Sequence, residues 1–212
     1  MIVNSLQPVT LIGGGPVDAD ILTKAVALAP MVIAADGGLN RAHALGQKVT
    51  HVIGDMDSVD LGITGPEFHE ISEQMTTDLD KCLYSTCAPF YLGVGFFGGR
   101  LDHQLAACHA LVRSADKTVI LLGAQDLCFL APLELSLDLP RGTRFSLFPM
   151  GVVSGCSKGL KYPISGHDFA PDKMIGTSNI TNAARVELSF DNKVMLVVLP
   201  IEMLDRVLKA LR

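Results

Sequence analysis

The feature that most limits what this chain can fold into is a rhythm over its first two-thirds. Short β-rich runs, most of them closing on glycine or aspartate, alternate with segments that carry apolar residues at helical spacing. PVTLIGG (8–14) is followed by DADILTKAVALA (18–29), with Asp18 placed as its N-cap. MVIAADGG (31–38) leads into LNRAHALG (39–46), a short helix closed by Gly46. THVIGD (50–55) is a third strand, and TTDLDKCLYSTCA (76–88) reads as a helix capped by Thr76 or Thr77. FYLGVGFFGG (90–99) is a fourth strand, RLDHQLAACHALVRSA (100–115) an apolar-faced helix, and KTVILLG and DLCFLAP are further strands. Alternation of this kind predicts βαβ units and an α/β fold with a doubly wound, mostly parallel, Rossmann-like sheet.

The texture changes near residue 133. From LELSLDLPRGTRFSLFPM onward the pieces are short and strand-like, punctuated by PRG, PMG, SKG and DNK, and no helix is evident until IEMLDRVLKALR (201–212). That pattern predicts a small antiparallel β-sandwich. The expected domains are therefore 1–132, α/β, and 133–212, β.

Composition narrows the class of function. Hydrophobic residues make up 49% and charged residues 18%, enough for a substantial core, and the net charge is −5. With no basic run, nucleic acid and anionic membrane are not expected partners. Apolar stretches such as VMLVVLPI are too short to span a bilayer. The N-terminus does not read as a secretory signal, and the five cysteines are odd in number and form no CxxC pair. A cytoplasmic protein with reduced thiols is expected.

In an open parallel sheet, ligands bind outside the carboxyl ends of the strands. Those ends carry Gly13–Gly15; Asp36, Gly37 and Gly38; Asp55 and Asp57; and Gly98, Gly99, Arg100, Asp102 and His103. Glycines let backbone N–H groups approach phosphate, whereas carboxylates repel it unless a cation lies between. The combination points to magnesium-bound phosphate, with Asp55 and Asp57, two residues apart on an extended segment, aimed at one ion. There is no Walker A loop. A dinucleotide fingerprint starting at Gly13 fails at its third glycine, which is Asp18, although Asp36 fits the ribose-binding acid of such a fold. A phosphatase using Asp55 as nucleophile matches the Asp55-Met56-Asp57 spacing as well.

Six stretches together resemble the thiamine pyrophosphokinase (thiamine diphosphokinase) family: ADGGLNR (35–41), IGDMDSV (53–59), TTDLDKCL (76–83), GGRLDHQLA (98–106), GLKYP (159–163) and TSN (177–179). The resemblance implies an ATP-binding catalytic domain followed by a thiamine-binding β-sandwich, in a homodimer. It implies transfer of diphosphate from ATP to the thiamine hydroxyl, giving thiamine diphosphate and AMP, with Mg2+ held by Asp55, Asp57 and Asp78. Asp36 belongs to the same acidic cluster. Asp36, Gly37, Gln74, Thr77, Gly99 and His103 are the implied ATP-binding residues, Asp102 and Arg100 join the catalytic set, and Ser178 and Asn179 are implied to contact thiamine. Lys81, on the helix of Asp78, is expected on a solvated face. Two departures stand out. Met75 occupies a position where the family pattern has aspartate, and a thioether does not replace a carboxylate on magnesium. The segment after TSN, ITNAARVELSF (180–190), lacks the acid or the glycine that the family often has there. These leave a non-catalytic nucleotide- or thiamine-binding protein as the third reading beside the kinase and the phosphatase.

Overall fold

The computed structural model describes residues 1–211, which divide into two compact units, 1–124 and 125–211. The boundary falls upstream of the change in texture at 133. The strand formed by DLCFLAP accounts for the difference, because it pairs with Met195–Pro200 and so belongs with the second unit.

The first unit runs β1 (Val3–Asn4), β2 (Val9–Ile12), α1 (Ala19–Leu28), β3 (Met31–Ala35), α2 (Gly38–Ala44), β4 (His51–Gly54), β5 (Glu67–Glu70), α3 (Asp78–Ser85), β6 (Thr86–Cys87), β7 (Tyr91–Val94), α4 (Leu101–Arg113) and β8 (Val119–Leu122). Its main sheet has the order β8-β7-β2-β3-β4-β5, every pair parallel. Strands β2, β7 and β8 are buried at every position, as near-continuous apolar runs in a covered parallel sheet should be. The chain steps from β2 outward to β3, β4 and β5, then returns to the other side of β2 for β7 and β8. The order therefore reverses between β2 and β7, and a crevice opens at their carboxyl ends.

Local chemistry explains the helix ends. The Asp18 carboxylate accepts from the backbone N–H groups of Asp20 and Ile21 at the start of α1. Gly46 ends α2 at φ +68°, with its N–H donating to His43 and that of Gln47 donating to Ala42, the bond pattern of a left-handed C-cap. Of the two candidate threonines, Thr77 caps α3: its hydroxyl accepts from the Asp80 N–H while the Asp80 carboxylate accepts from the Thr77 N–H. The helix stops at Ser85, short of the sequence-based expectation, and Thr86–Cys87 instead pairs with Val3–Asn4 as a two-stranded ladder. The β-branched Thr86 starts that strand, and its hydroxyl donates back to the Cys82 carbonyl. Strand β5 had no sequence signal. It is an edge strand of mostly exposed polar residues, so no hydrophobic pattern marks it.

The second unit is all β apart from its end: β9 (Asp126–Leu130), β10 (Glu134–Asp138), β11 (Arg144–Pro149), β12 (Val153–Lys158), β13 (Asp168–Phe169), β14 (Gly176–Ile180), β15 (Arg185–Phe190) and β16 (Met195–Pro200), then α5 (Leu204–Leu211) after one 3-10 turn. Antiparallel ladders join β14-β11-β16-β9 and β10-β15-β12-β13. Alternation such as eBeBiB along β15 sends Val186, Leu188 and Phe190 into the core. No helix of the described residues is long and apolar enough to cross a membrane.

Helix α2 starts hard against β2. A Cβ on Gly38 would overlap the Ile12 carbonyl oxygen, with backbone on both sides and nothing flexible to yield. Gly38→Ala is expected to destabilise the protein by roughly 1–3 kcal/mol, the cost of overpacking, read as a lower urea midpoint with an unchanged slope. A midpoint within error of the parent would mean that α2 can retreat from β2 without cost.

Candidate active site

Parallel strands deliver their side-chain chemistry where they end. Beyond β2 and β7 the two chains run into each other: Gly15 N–H donates to the Gly95 carbonyl, and a Cβ on Gly13 or Gly15 would lie 2.7 or 2.6 Å from that oxygen. Only glycine permits this approach, and it leaves a floor of bare backbone. Around that floor lies an open cavity of about 990 Å3. Its walls include Gly13–Gly15, Asp36, Asp55, Gln74, Asp78 and Lys81. Every lining residue lies in the first unit.

Strands β3 and β4 supply the acids. Asp36 follows β3 at φ +44°, a left-handed conformation that aspartate tolerates better than most residues. It is buried, and its Oδ1 has no hydrogen-bond partner in the protein. Burial, reinforced by the neighbouring Asp57 and Asp55 charges and opposed by a backbone hydrogen bond at Gly37, raises its pKa above the ordinary value. Gly54, the last residue of β4, makes room for it: a Cβ there would stand 2.7 Å from the Asp36 Cβ.

After Gly54 the chain does not continue as extended strand. Met56 is left-handed at φ +63°, and its side chain packs against the cluster of Ala34, Leu39 and Val52. An apolar anchor thus holds a tight bend, and Asp55 and Asp57 flank it. Their shared orientation comes from this bend rather than from the pleat invoked by the i, i+2 reading. One carboxylate oxygen each from Asp36, Asp55 and Asp57 comes within 4.8 Å of the others. The Ser58 hydroxyl donates to Asp57, so the Asp57-Ser58 pair also stiffens the turn.

Asp78, read from sequence as the third ligand beside Asp55 and Asp57, is not in that trio. Its carboxylate is held by Lys81, one turn along α3, at 3.3 Å, and the same ammonium lies 3.7 Å from Asp55. Lys81 is 2% exposed, which overturns the expectation of a solvated face. The reason is the register of α3: positions 78 and 81 share the face turned toward the strand ends. Burial alone would lower the Lys81 pKa, but Asp78 and Asp55 outweigh it and the pKa is raised, so the ammonium stays charged. Asp78 is raised by burial, with Lys81 acting against that rise. Asp55 is lowered, chiefly by the Gln74 amide, which donates to its Oδ2 at 2.7 Å.

The remaining residues fall into place around this core. Gly37 and Thr77 line the cavity, as do Gly99, Arg100, Asp102 and His103. Arg100 and Asp102 form a two-bond ion pair at 3.1 and 2.6 Å, and Asp102 also accepts from the His103 N–H. The Arg100 bond holds Asp102 below the usual carboxylate range. Met75 is 88% exposed, and Asp80 is spent on the Thr77 cap, so neither supplies the missing carboxylate. Arg41, also on the cavity wall, donates to the Gly14 carbonyl at 3.2 Å. Sequence reasoning passed over Arg41 and misplaced Lys81. The signal for both was present: each lies one helical turn or less from a residue already singled out.

In the second unit, Ser178 is exposed and left-handed at φ +60°. Asn179 is buried, and its amide is committed to backbone: Oδ1 accepts from Tyr162 and Ile180, and Nδ2 donates to the Tyr162 carbonyl at 2.7 Å. It fastens the GLKYP segment to β14, while Ser178 faces solvent.

A glycine floor and a carboxylate cluster at the switch point of a parallel sheet define a phosphate-handling α/β enzyme. The family description "Thiamin pyrophosphokinase, catalytic domain" matches residues 22–122, and "Thiamin pyrophosphokinase, vitamin B1 binding domain" matches residues 133–195. The chain is 30% identical over 204 residues to thiamine pyrophosphokinase 2 of Oryza sativa subsp. japonica, covering 77% of this chain and 75% of that one. It is 26% identical over 208 residues to thiamine pyrophosphokinase 1 of Arabidopsis thaliana, covering 79% and 77%. Among solved structures, the thiamin pyrophosphokinase of Candida albicans superposes with a TM-score of 0.79 at 14% identity, over 94% of this chain and 92% of that one. The chain belongs to the thiamine pyrophosphokinase family.

Two substitutions probe these arrangements. Lys81→Met leaves Asp55 and Asp78 facing each other beneath the cavity and is expected to cost roughly 2–4 kcal/mol in divalent-free buffer, measured by urea unfolding; a loss below about 0.5 kcal/mol, the level of an exposed pair, would contradict the buried bridge. Asn179→Ala leaves the Tyr162 N–H and C=O without their side-chain partner and should cost about 1–3 kcal/mol by the same measurement. A variant as stable as the parent would show that water replaces the amide freely.

Proposed function

We propose that this protein is a magnesium-dependent thiamine diphosphokinase, transferring the β,γ-diphosphate of ATP to the hydroxyl of thiamine and releasing AMP. The observation that carries the reading is the acidic cluster itself. Three carboxylates converge beside a backbone floor suited to phosphate, and the Asp36 Oδ1 is buried with no protein donor. A buried polar atom in that state is costly unless a cation or donor meets it. The donor set is all hard oxygen and therefore fits magnesium. Asp36, Asp55 and Asp57 would hold the ion, with Asp36 taking the place first given to Asp78. Magnesium bound there supplies charge neutralisation to the phosphates.

The chain's own residues do the rest. Backbone at Gly13–Gly15, Gly37 and Gly99 admits the phosphates closely. Lys81 holds the Asp55 and Asp78 charges apart and presents an ammonium to the cavity. Gln74 fixes the Asp55 carboxylate through its amide, and Thr77 anchors the start of α3. Arg100 and Asp102 are 72% and 64% exposed, so their pair is weak and opens at little cost. Once open, the guanidinium is free for a phosphate and the carboxylate for the thiamine hydroxyl, with His103 beside the nucleotide. In the transfer, the hydroxyl oxygen bonds to the β-phosphorus, the bond from that phosphorus to the oxygen retained by AMP breaks, and the hydroxyl proton passes to Asp102. Ser178 is the side chain of the second unit presented to thiamine, and Asn179 positions it by fastening the adjacent loop. The reading includes a homodimer. It also includes a cytoplasmic setting, supported by the odd number of cysteines and the absence of a CxxC pair.

Incubation with thiamine, ATP and magnesium is expected to yield thiamine diphosphate and AMP in equal amounts, resolved by chromatography and lost on chelation. Asp55→Asn is expected to lower turnover by at least about a thousandfold, the scale of removing a main electrostatic group, with an unchanged circular-dichroism spectrum. ADP or free phosphate as the product, or near-parental turnover in the variant, would overturn the assignment.

A further inference from the structure

A second constellation of metal-ligand chemistry lies on the first unit outside the cavity, and the reaction has no use for it. His51 opens β4, and Glu67 and His69 belong to the edge strand β5. The register pairs His51 with Glu67 and Ile53 with His69. Partners in a parallel ladder, and residues two apart on one strand, share a face of the sheet. All three side chains therefore emerge on the same side, while Phe68 and Glu70 take the other.

The donor atoms meet. His51 Nδ1 and His69 Nε2 are 3.1 Å apart, and Glu67 brings a carboxylate oxygen to 3.5 Å from the first and another to 3.9 Å from the second. One ligand atom from each of the three lies within 4.8 Å of the others. Two nitrogens bound to one ion at about 2.0–2.1 Å stand roughly 3 Å apart. The imidazoles are thus already at ligand spacing. Their side chains are 20% and 16% exposed, enough to be fixed by packing, whereas Glu67 is 69% exposed and free to swing onto an ion. None of the three lines the cavity.

We propose that His51, His69 and Glu67 form a divalent transition-metal site, with zinc as its ion. Two imidazoles and one carboxylate are poor company for magnesium, which takes oxygen, and good company for a borderline ion. Zinc outranks ferrous iron and manganese for such donors, and three protein ligands leave a position for water. The ion would tie β5 to β4. That strand is the sheet's edge and buries almost nothing of its own, so it is where a cross-link adds most. From β5 the chain passes through residues 71–77 to Gln74, Thr77 and Asp78 of the cavity wall. Pinning the edge strand therefore fixes one end of that segment.

The test uses the full chain, stripped by chelation and titrated with Zn2+ alone while Mg2+ is held near 10 mM, in large excess so that the carboxylate cluster, a hard-oxygen site, is occupied. One zinc per chain should bind with a micromolar or tighter Kd. His51→Gln and His69→Gln should each weaken it at least about tenfold, and Glu67→Gln should weaken it less. Zinc should also slow amide exchange at Phe68, His69 and Glu70 in the parent and not in the His69→Gln variant, whose thermal midpoint without metal confirms that it is folded. Equal zinc affinity in the parent and both histidine variants would overturn the proposal, as would displacement of the zinc by magnesium. The pair would then be two imidazoles joined by one hydrogen bond.

Discussion

Three carboxylates, each with an oxygen within 4.8 Å of the others, repel, and the fold must hold them there. The restraint is backbone geometry. Asp36 is set at φ +44° over a glycine that cannot be replaced without touching its Cβ, and Met56 is set at φ +63° with its side chain driven into the core. Left-handed backbone at a non-glycine residue costs of order 1 kcal/mol and persists only where surrounding packing overdetermines it. Both such residues in the first unit build the same cluster: Asp36 is a member of it, and Met56 lies between Asp55 and Asp57. The apolar contacts of Met56, and the β3–β4 ladder that fixes the Asp36 N–H on the Ile53 carbonyl, supply the opposing energy. The aim of the acids follows from this backbone geometry, as the cavity floor follows from Gly13 and Gly15 against Gly95 and the position of α2 from Gly38 against Ile12.

Lys81 is the internal counterweight. Without it, Asp78 would add a fourth negative group to the rim of the cluster. With it, Asp55 and Asp78 share one buried ammonium, and the Gln74 amide donates to the same Asp55 oxygen that the ammonium approaches. The Asp36 Oδ1 stays buried without a protein partner. The division is chemically sensible: the site is neutralised enough to fold and left short of positive charge where a substrate-borne cation would enter. The capping box between Thr77 and Asp80 sets the start of α3 and hence the level at which Lys81 enters the site.

Much of this was legible in the sequence, because it was written in patterns that local physics reads directly. Alternating apolar runs and helical segments specify parallel βαβ units, Asp18 and Gly46 mark helix ends by their own side-chain and backbone chemistry, and glycine or aspartate at each strand end marks the carboxyl edge. What was not legible depended on neighbours distant in sequence. Strand β5 has no hydrophobic pattern because it is an exposed edge, held by its ladder to β4. Lys81 reads as a surface lysine until α3 is laid against β3 and β4, when its face turns out to be the buried one. Asp55 and Asp57 were grouped correctly for an incorrect reason, since a left-handed Met56 cannot be seen in a one-residue spacing. Asn179 reads as a ligand contact by its position in TSN, but its amide is spent on Tyr162, a partner fixed only by tertiary structure.

The central claim is that the Asp36–Asp55–Asp57 cluster is a magnesium site through which ATP is held. The most direct measurement is calorimetric binding of a non-hydrolysable ATP analogue, with and without magnesium, to the parent and to Asp57→Asn. The account predicts tight binding to the parent only with magnesium, and at least about tenfold weaker magnesium-dependent binding to the variant, the smallest loss expected on removing a metal ligand. Equal binding of the analogue to the parent with and without magnesium would contradict it, because three carboxylates would then have to accept a polyphosphate with no cation between them.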